Sequence, residues 1–179
     1  MNRPRSVPRH AGFTLIELLV VLLIAMILLT LSAPELLKYY IRSQLEGLAR
    51  ETALTLQRTR FRAIKQSQPM QVCADVAGGV ITAPGGALEL PDGVRFEAPP
   101  SQTVIDRLTG NCFVFLPDGS VQELGAFRIA DVRGNFLEIR VEPQATARVH
   151  VLKWDETAED WYTRDQGGKA WEWKTGKLL

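Results

Sequence analysis

The chain has 179 residues, with 21 Lys and Arg against 20 Asp and Glu, a formal net charge of +1 at pH 7. That length suits one domain plus an appendage, and a charge so close to neutral excludes bulk attraction to nucleic acid. The apolar content of 46% is ordinary but unevenly spread, with a dense block inside the first 33 residues.

Residues 1–12 carry Arg3, Arg5 and Arg9 and no acid. Without those three of the 21 basic residues, 18 face 20 acids, a formal −2. The next stretch, GFTLIELLVVLLIAMILLTLSAP, runs from Gly12 to Pro34. Its 21 residues from Phe13 to Ala33 hold a single charge, Glu17. As a helix this segment would cross a hydrocarbon core of about 30 Å. It is too long for the h-region of a signal peptide, and no small-residue cleavage site closes it. A signal anchor with its basic end in the cytoplasm fits better, but it leaves Glu17 unexplained. A carboxylate inside a membrane is costly and implies a partner.

Gly12-Phe13-Thr14-Leu15-Ile16-Glu17 resembles the processing site of type IV prepilins and type II secretion pseudopilins. The resemblance implies a leader over residues 1–12, cleavage by a prepilin peptidase between Gly12 and Phe13, and N-methylation of Phe13. It makes Glu17 the fifth mature residue, where the family carries a glutamate that pairs with the amine of a neighbouring subunit. Pro34 falls where many members carry a helix-bending proline. Removing one member of a buried charge pair costs about 3–5 kcal/mol, so such a glutamate would act as a register mark in assembly.

Beyond Pro34, Leu37, Ile41, Leu45, Leu48, Thr52 and Leu56 recur at spacings of three and four, with Ala49 and Ala53 beside them. That pattern predicts one helical face. The expected element is a single helix from about Phe13 to Gln66, bent near Pro34. Residues 13–33 would form a transmembrane or filament-core half, and 34–66 an amphipathic continuation. Ser67-Gln68-Pro69 ends it. Arg50, Arg58, Arg60, Arg62 and Lys65 make a basic run. Arg58 and Arg62 share a face while Arg60 lies elsewhere, so a solvated helix or contact with acidic patches on neighbours is preferred to a nucleic-acid surface.

From Met70 the pattern changes to short strands between turn signals. Gln71–Ala74 opens it, and Gly78-Gly79, Pro84-Gly85-Gly86 and Pro91-Asp92-Gly93 punctuate it. Cys112–Leu116 reads as a buried strand, turned by Pro117-Asp118-Gly119-Ser120 into Val121–Leu124. The stretches 135–142 and 147–154 alternate as a final pair. The expected fold class is α+β, a long N-terminal helix packed on an antiparallel sheet or sandwich over residues 67–179. Cys73 and Cys112 either close a disulfide in an oxidising compartment or pack as two buried thiols on separate strands.

The turn LPDGVRF, the FLPDGS hairpin and the final strand pair resemble the H-type minor pseudopilins of type II secretion, the GspH/FimT family, which includes minor pilins of type IV pili. The resemblance implies a structural subunit, with no cofactor, of a periplasmic pseudopilus that drives export of folded proteins. Its partners would be the prepilin peptidase, major and minor pseudopilins, the inner-membrane secretion platform and exported substrates. The location would be the bacterial inner membrane, single-pass, with the C-terminal domain in the periplasm. DNA-binding relatives carry Gly-Arg-x-Arg near the last strand. Here the stretch reads Ala147-Arg148-Val149-His150, leaving Arg148 alone for a weak DNA contact.

Trp154, Trp161, Tyr162, Trp171 and Trp173 crowd the C-terminal tail. They read either as an interaction surface or as a final hairpin, turning at Gly167-Gly168, whose tryptophans cover the sheet. The acids Asp155, Glu156, Glu159 and Asp160 match no calcium loop, so no metal site is expected. No enzyme constellation is present: His10 and His150 are isolated, and H-E-x-x-H, G-x-S-x-G and P-loop motifs are lacking.

Overall fold

The computed structural model describes residues 13–163, with the side chains of 31–38 left out. The chain divides into two units, one ending at Lys38 and the other starting at Tyr39. Helix α1 spans Leu15–Gln66, close to the expected 13–66. Pro34 lies within it, among the residues whose side chains are not described.

In the first unit Thr14 caps the helix. Its Oγ1 accepts the Glu17 N–H at 3.3 Å, and its carbonyl accepts the Leu18 N–H at 3.2 Å. Threonine suits this place because its hydroxyl satisfies a backbone donor that the first turn leaves orphaned. Every large apolar side chain from Leu15 to Leu29 is at least 51% exposed. Among the described residues no helix is long and apolar enough to cross a membrane.

In the second unit Leu45, Leu48, Ala49, Thr52, Leu56, Thr59 and Ala63 are buried. Their spacing of three and four puts them on one stripe of α1, which packs on two antiparallel sheets. The first sheet takes the order β3-β2-β1-β6 from β1 (Met70–Asp75), β2 (Val80–Ala83), β3 (Gly86–Glu89) and β6 (Cys112–Phe115). The second takes the order β10-β9-β8-β7-β4 from β4 (Val94–Phe96), β7 (Gly125–Asp131), β8 (Phe136–Val141), β9 (Val149–Asp155) and β10 (Asp160–Thr163). The two-residue β5 (Ile105–Asp106) also pairs with β7. One continuous core draws on α1 and both sheets, with Phe113, Phe115 and Phe127 fully buried in it.

Several elements differ from the sequence reading. Val121–Leu124 is not a strand; a single bridge from Phe115 to Val121 is all that pairs. The Val121 N–H turns instead to the Gln144 carbonyl at 3.0 Å, and the Glu123 carboxylate takes the Thr109 N–H and hydroxyl at 2.7 and 2.9 Å. Strand β7 was not expected at all. All seven of its residues are buried, and a strand covered on both faces shows no polar–apolar alternation to read. Between the glycine pairs read only as turns lies β2, and the second pair leads into β3, which starts at Gly86. The hairpin expected at Gly167-Gly168, with Trp171 and Trp173, lies outside the described residues; a β9–β10 hairpin turns earlier, through Glu156–Glu159.

Candidate assembly and recognition surfaces

Phe13 stands at the start of the described chain, 82% exposed, and Gly12 lies outside the described residues. Glu17 is the one acid in the first turn of α1. A carboxylate there meets the positive end of the helix dipole. Thr14-x-x-Glu17 also has the spacing of a capping box, of which the Thr14 half is formed. The segment therefore presents an apolar helix with one anionic group beside its N-terminus.

The FLPDGS segment acquires a physical role. Phe115 fills the core, while Asp118 Oδ1 accepts the Ser120 N–H at 2.9 Å and its hydroxyl at 2.6 Å. Those hydrogen bonds hold the Asp118 carboxyl below its ordinary range, the side-chain bond first. Gly119 has φ +84°, and a Cβ there would stand 2.9 Å from Ile64 Cδ1. Arg60 Nε of α1 donates to the Gly119 carbonyl at 2.7 Å. Glycine is needed for both the backbone angle and the close approach, and the turn is thereby pinned to the helix.

Cys73 and Cys112 sit opposite one another in the β1–β6 register and form a disulfide, with Cα atoms 4.0 Å apart. On the far face of the second sheet lies a feature that the sequence reading missed. Glu138 is fully buried, and Arg128 and Arg140 each donate from Nε to a different one of its oxygens. Arg128 lies directly across from Glu138 in the β7–β8 register. Its Nη1 donates to the Thr103 carbonyl at 2.6 Å, and its guanidinium lies 5.5 Å from the Trp161 ring centre. In NFLEIRVE the charges at alternate positions read as a solvent face. Glu138 is nonetheless fully buried and Arg140 half-buried, while Glu142 stays exposed; the signal in the sequence was the cross-strand Arg, in a strand that gave no periodicity.

Residues 8–33 match the family described as the prokaryotic N-terminal methylation motif. Residues 48–154, more than half of the 179, match the family described as type II transport protein GspH. This chain belongs to the GspH family. It is a type IV pilin-like pseudopilin, from a family of structural subunits that associate with other pseudopilins. Comparison with curated proteins and with solved structures returned no match.

The GspH match ends at Trp154, so it takes in the Ala147-Arg148-Val149-His150 stretch. Ala147 is buried with φ +41°, and the Arg148 side chain is exposed. A positive φ is where glycine has the advantage. Elsewhere, two members of the basic run are already engaged. Arg50 pairs with Glu46 at 3.1 Å, and Arg60 is engaged by Gly119. Of the tail tryptophans, Trp154 and Trp161 face each other across β9 and β10 with ring centres 5.2 Å apart, each 8% exposed. These two cover the sheet rather than present a surface.

Proposed function

We propose that this chain is a minor pseudopilin of a type II secretion system, held in the inner membrane by residues 13–33 with its β-rich domain in the periplasm. The observation that carries the reading is the pairing, on one chain, of a prepilin methylation motif over 8–33 with a GspH domain over 48–154. In this reading prepilin peptidase removes residues 1–12 and methylates Phe13. Glu17 then pairs with the Phe13 amine of a neighbouring subunit, each charge satisfying the other where water is scarce. The mature subunit joins a short periplasmic pseudopilus with major and minor pseudopilins. The inner-membrane platform extends that filament to help move folded proteins outward. Pro34 would set the bend between the filament-core half of the helix and its amphipathic continuation.

The culture-supernatant proteome of a strain lacking the gene, beside its complemented parent, tests this. Loss of several exported enzymes, with their accumulation in the periplasm, is the expected result. An unchanged supernatant would move the chain to a type IV pilus, where salt-sensitive binding of DNA by the protein, through Arg148, is the next question. Gly12→Ala should block maturation, and normal processing of that variant would remove the prepilin reading.

A further inference from the structure

The far face of the second sheet also borders a cavity of about 540 Å³, lined in part by Asp106, Arg107, Arg128, Arg140, Glu142 and Trp161. We propose that this cavity is a binding site for a peptide segment carrying one carboxylate, which Arg128 grips through Nη2 and Arg140 through Nη1.

Glu138 organises the site. Both of its oxygens are taken by Nε atoms, one from Arg128 and one from Arg140. This holds both guanidiniums at Glu138; Arg128 Nη1 is taken by the Thr103 carbonyl, which leaves Arg128 Nη2 and Arg140 Nη1 without a hydrogen-bonded acceptor. Arg128 Nη2 is 4.0 Å from Asp106 Oδ2, and Arg140 Nη1 is 3.8 Å from Glu142 Oε1, both beyond hydrogen-bond distance. Arg107 adds a third cation at the mouth, 77% exposed, its Nε 3.7 Å from Asp106 Oδ2. Guanidinium N–H groups in a fixed fork suit a planar carboxylate.

Charge balance narrows the ligand. Three cations around the cavity face three anions, Asp106, Glu138 and Glu142. A dianion such as phosphate would meet Asp106 and Glu142 at short range, whereas a single carboxylate need only draw the outer nitrogens a little way from them. Asp106 and Glu142 then remain as acceptors for peptide N–H groups beside that carboxylate. The Arg128 guanidinium is pre-positioned, its side chain 7% exposed and held by Glu138 and Thr103, so little side-chain freedom is lost on binding. The carboxylate could come from an acidic side chain or from a chain terminus.

The site does not rest on the secretion reading, and its test is a direct binding measurement on the full-length mature chain in detergent micelles. Three probes are titrated: acetyl-Ala-Glu-Ala-amide, acetyl-Ala-Ala-Ala with a free terminal carboxylate, and acetyl-Ala-Gln-Ala-amide. Binding is followed by Trp161 fluorescence and by NMR shifts of the Arg128 and Arg140 side chains. The expected result is millimolar or tighter binding of at least one carboxylate peptide and none of the Gln peptide. Arg140→Gln should weaken it about tenfold, the loss of a charge-assisted hydrogen bond. Arg107→Gln, at an exposed side chain that cannot unfold the protein, should weaken it about threefold. Whichever carboxylate peptide binds more tightly names the source. Equal binding of the Gln peptide, no binding of either carboxylate peptide, or wild-type affinity in Arg107→Gln and in folded Arg140→Gln would each overturn the proposal.

Discussion

Glu138 is an acid with no contact with water, held on both oxygens by arginines. Replacing it by alanine leaves Arg128 buried with its main counter-charge gone. Breaking a buried pair from one side costs about 3–5 kcal/mol, so Glu138→Ala should lower the denaturant midpoint of the domain well beyond the shift of an ordinary surface change. Urea unfolding followed by tryptophan fluorescence reads it, and a loss below about 1 kcal/mol would mean the network is solvated in solution. Ala147→Gly should act in the other direction, because its φ of +41° favours glycine. A gain of up to about 1 kcal/mol is expected, and a loss would mean the methyl's burial outweighs the backbone strain. Asp118 gives a pH signature. Its folded pKa lies below the ordinary 3.8 because of Ser120. Its contribution is therefore present above that ordinary value and disappears as pH falls through the lower folded one. The stability difference between the protein and Asp118→Asn should be constant near neutrality and vanish in acid; a difference that persists in acid would assign the effect to shape alone.

At the scale of elements, legibility followed patterning. Helix α1 was readable because Leu45, Leu48, Thr52 and Leu56 keep a period that only a helix brings to one side. Strands β8 and β9 alternate, and β1 and β6 are short apolar runs between turns, so these were readable too. Strand β7 was not, because Gly125–Asp131 is covered on both faces and mixes small, aromatic and charged residues without a period. The same burial hid Arg128 and turned Glu138 from an apparent solvent position into the buried centre of an ion-pair network. Local patterning records which side of a strand meets the core. It carries no mark of a distant loop that later covers the other side. The Cys73–Cys112 pairing is likewise a matter of register between strands far apart in sequence. Since the disulfide joins β1 to β6 across a separation of 39 residues, it closes a loop that includes β2, β3, β4 and β5. Chain entropy assigns such a closure about 4 kcal/mol. A Cys73→Ala, Cys112→Ala double variant should lose roughly 2–4 kcal/mol in the same urea experiment. Insensitivity of the wild-type midpoint to a reductant, with thiols shown to be free, would sink that assignment.

For the molecule as a whole, the question is what Glu17 contributes to assembly once its local role is separated out. Its backbone N–H is held by Thr14, and its place in the first turn already favours a carboxylate. Alanine at this position removes the charge, its dipole interaction and the side chain's hydrogen-bonding reach together, so a defect in Glu17→Ala alone would be ambiguous. Glutamine keeps the hydrogen-bonding reach that a capping box uses and removes only the charge. If Glu17 pairs with the amine of a neighbouring Phe13, then Glu17→Gln and Glu17→Ala should both insert and be processed normally. Both should then lose co-purification with partner pseudopilins after crosslinking. The losses should be similar, because an unpaired buried amine is left behind in either case. If instead the residue serves the helix end, Glu17→Gln should co-assemble as wild type while Glu17→Ala fails. A wild-type level of co-assembly in both variants would leave the apolar surface of Leu15–Leu29 as the sole adhesive of this segment, with register set by the β-rich domain.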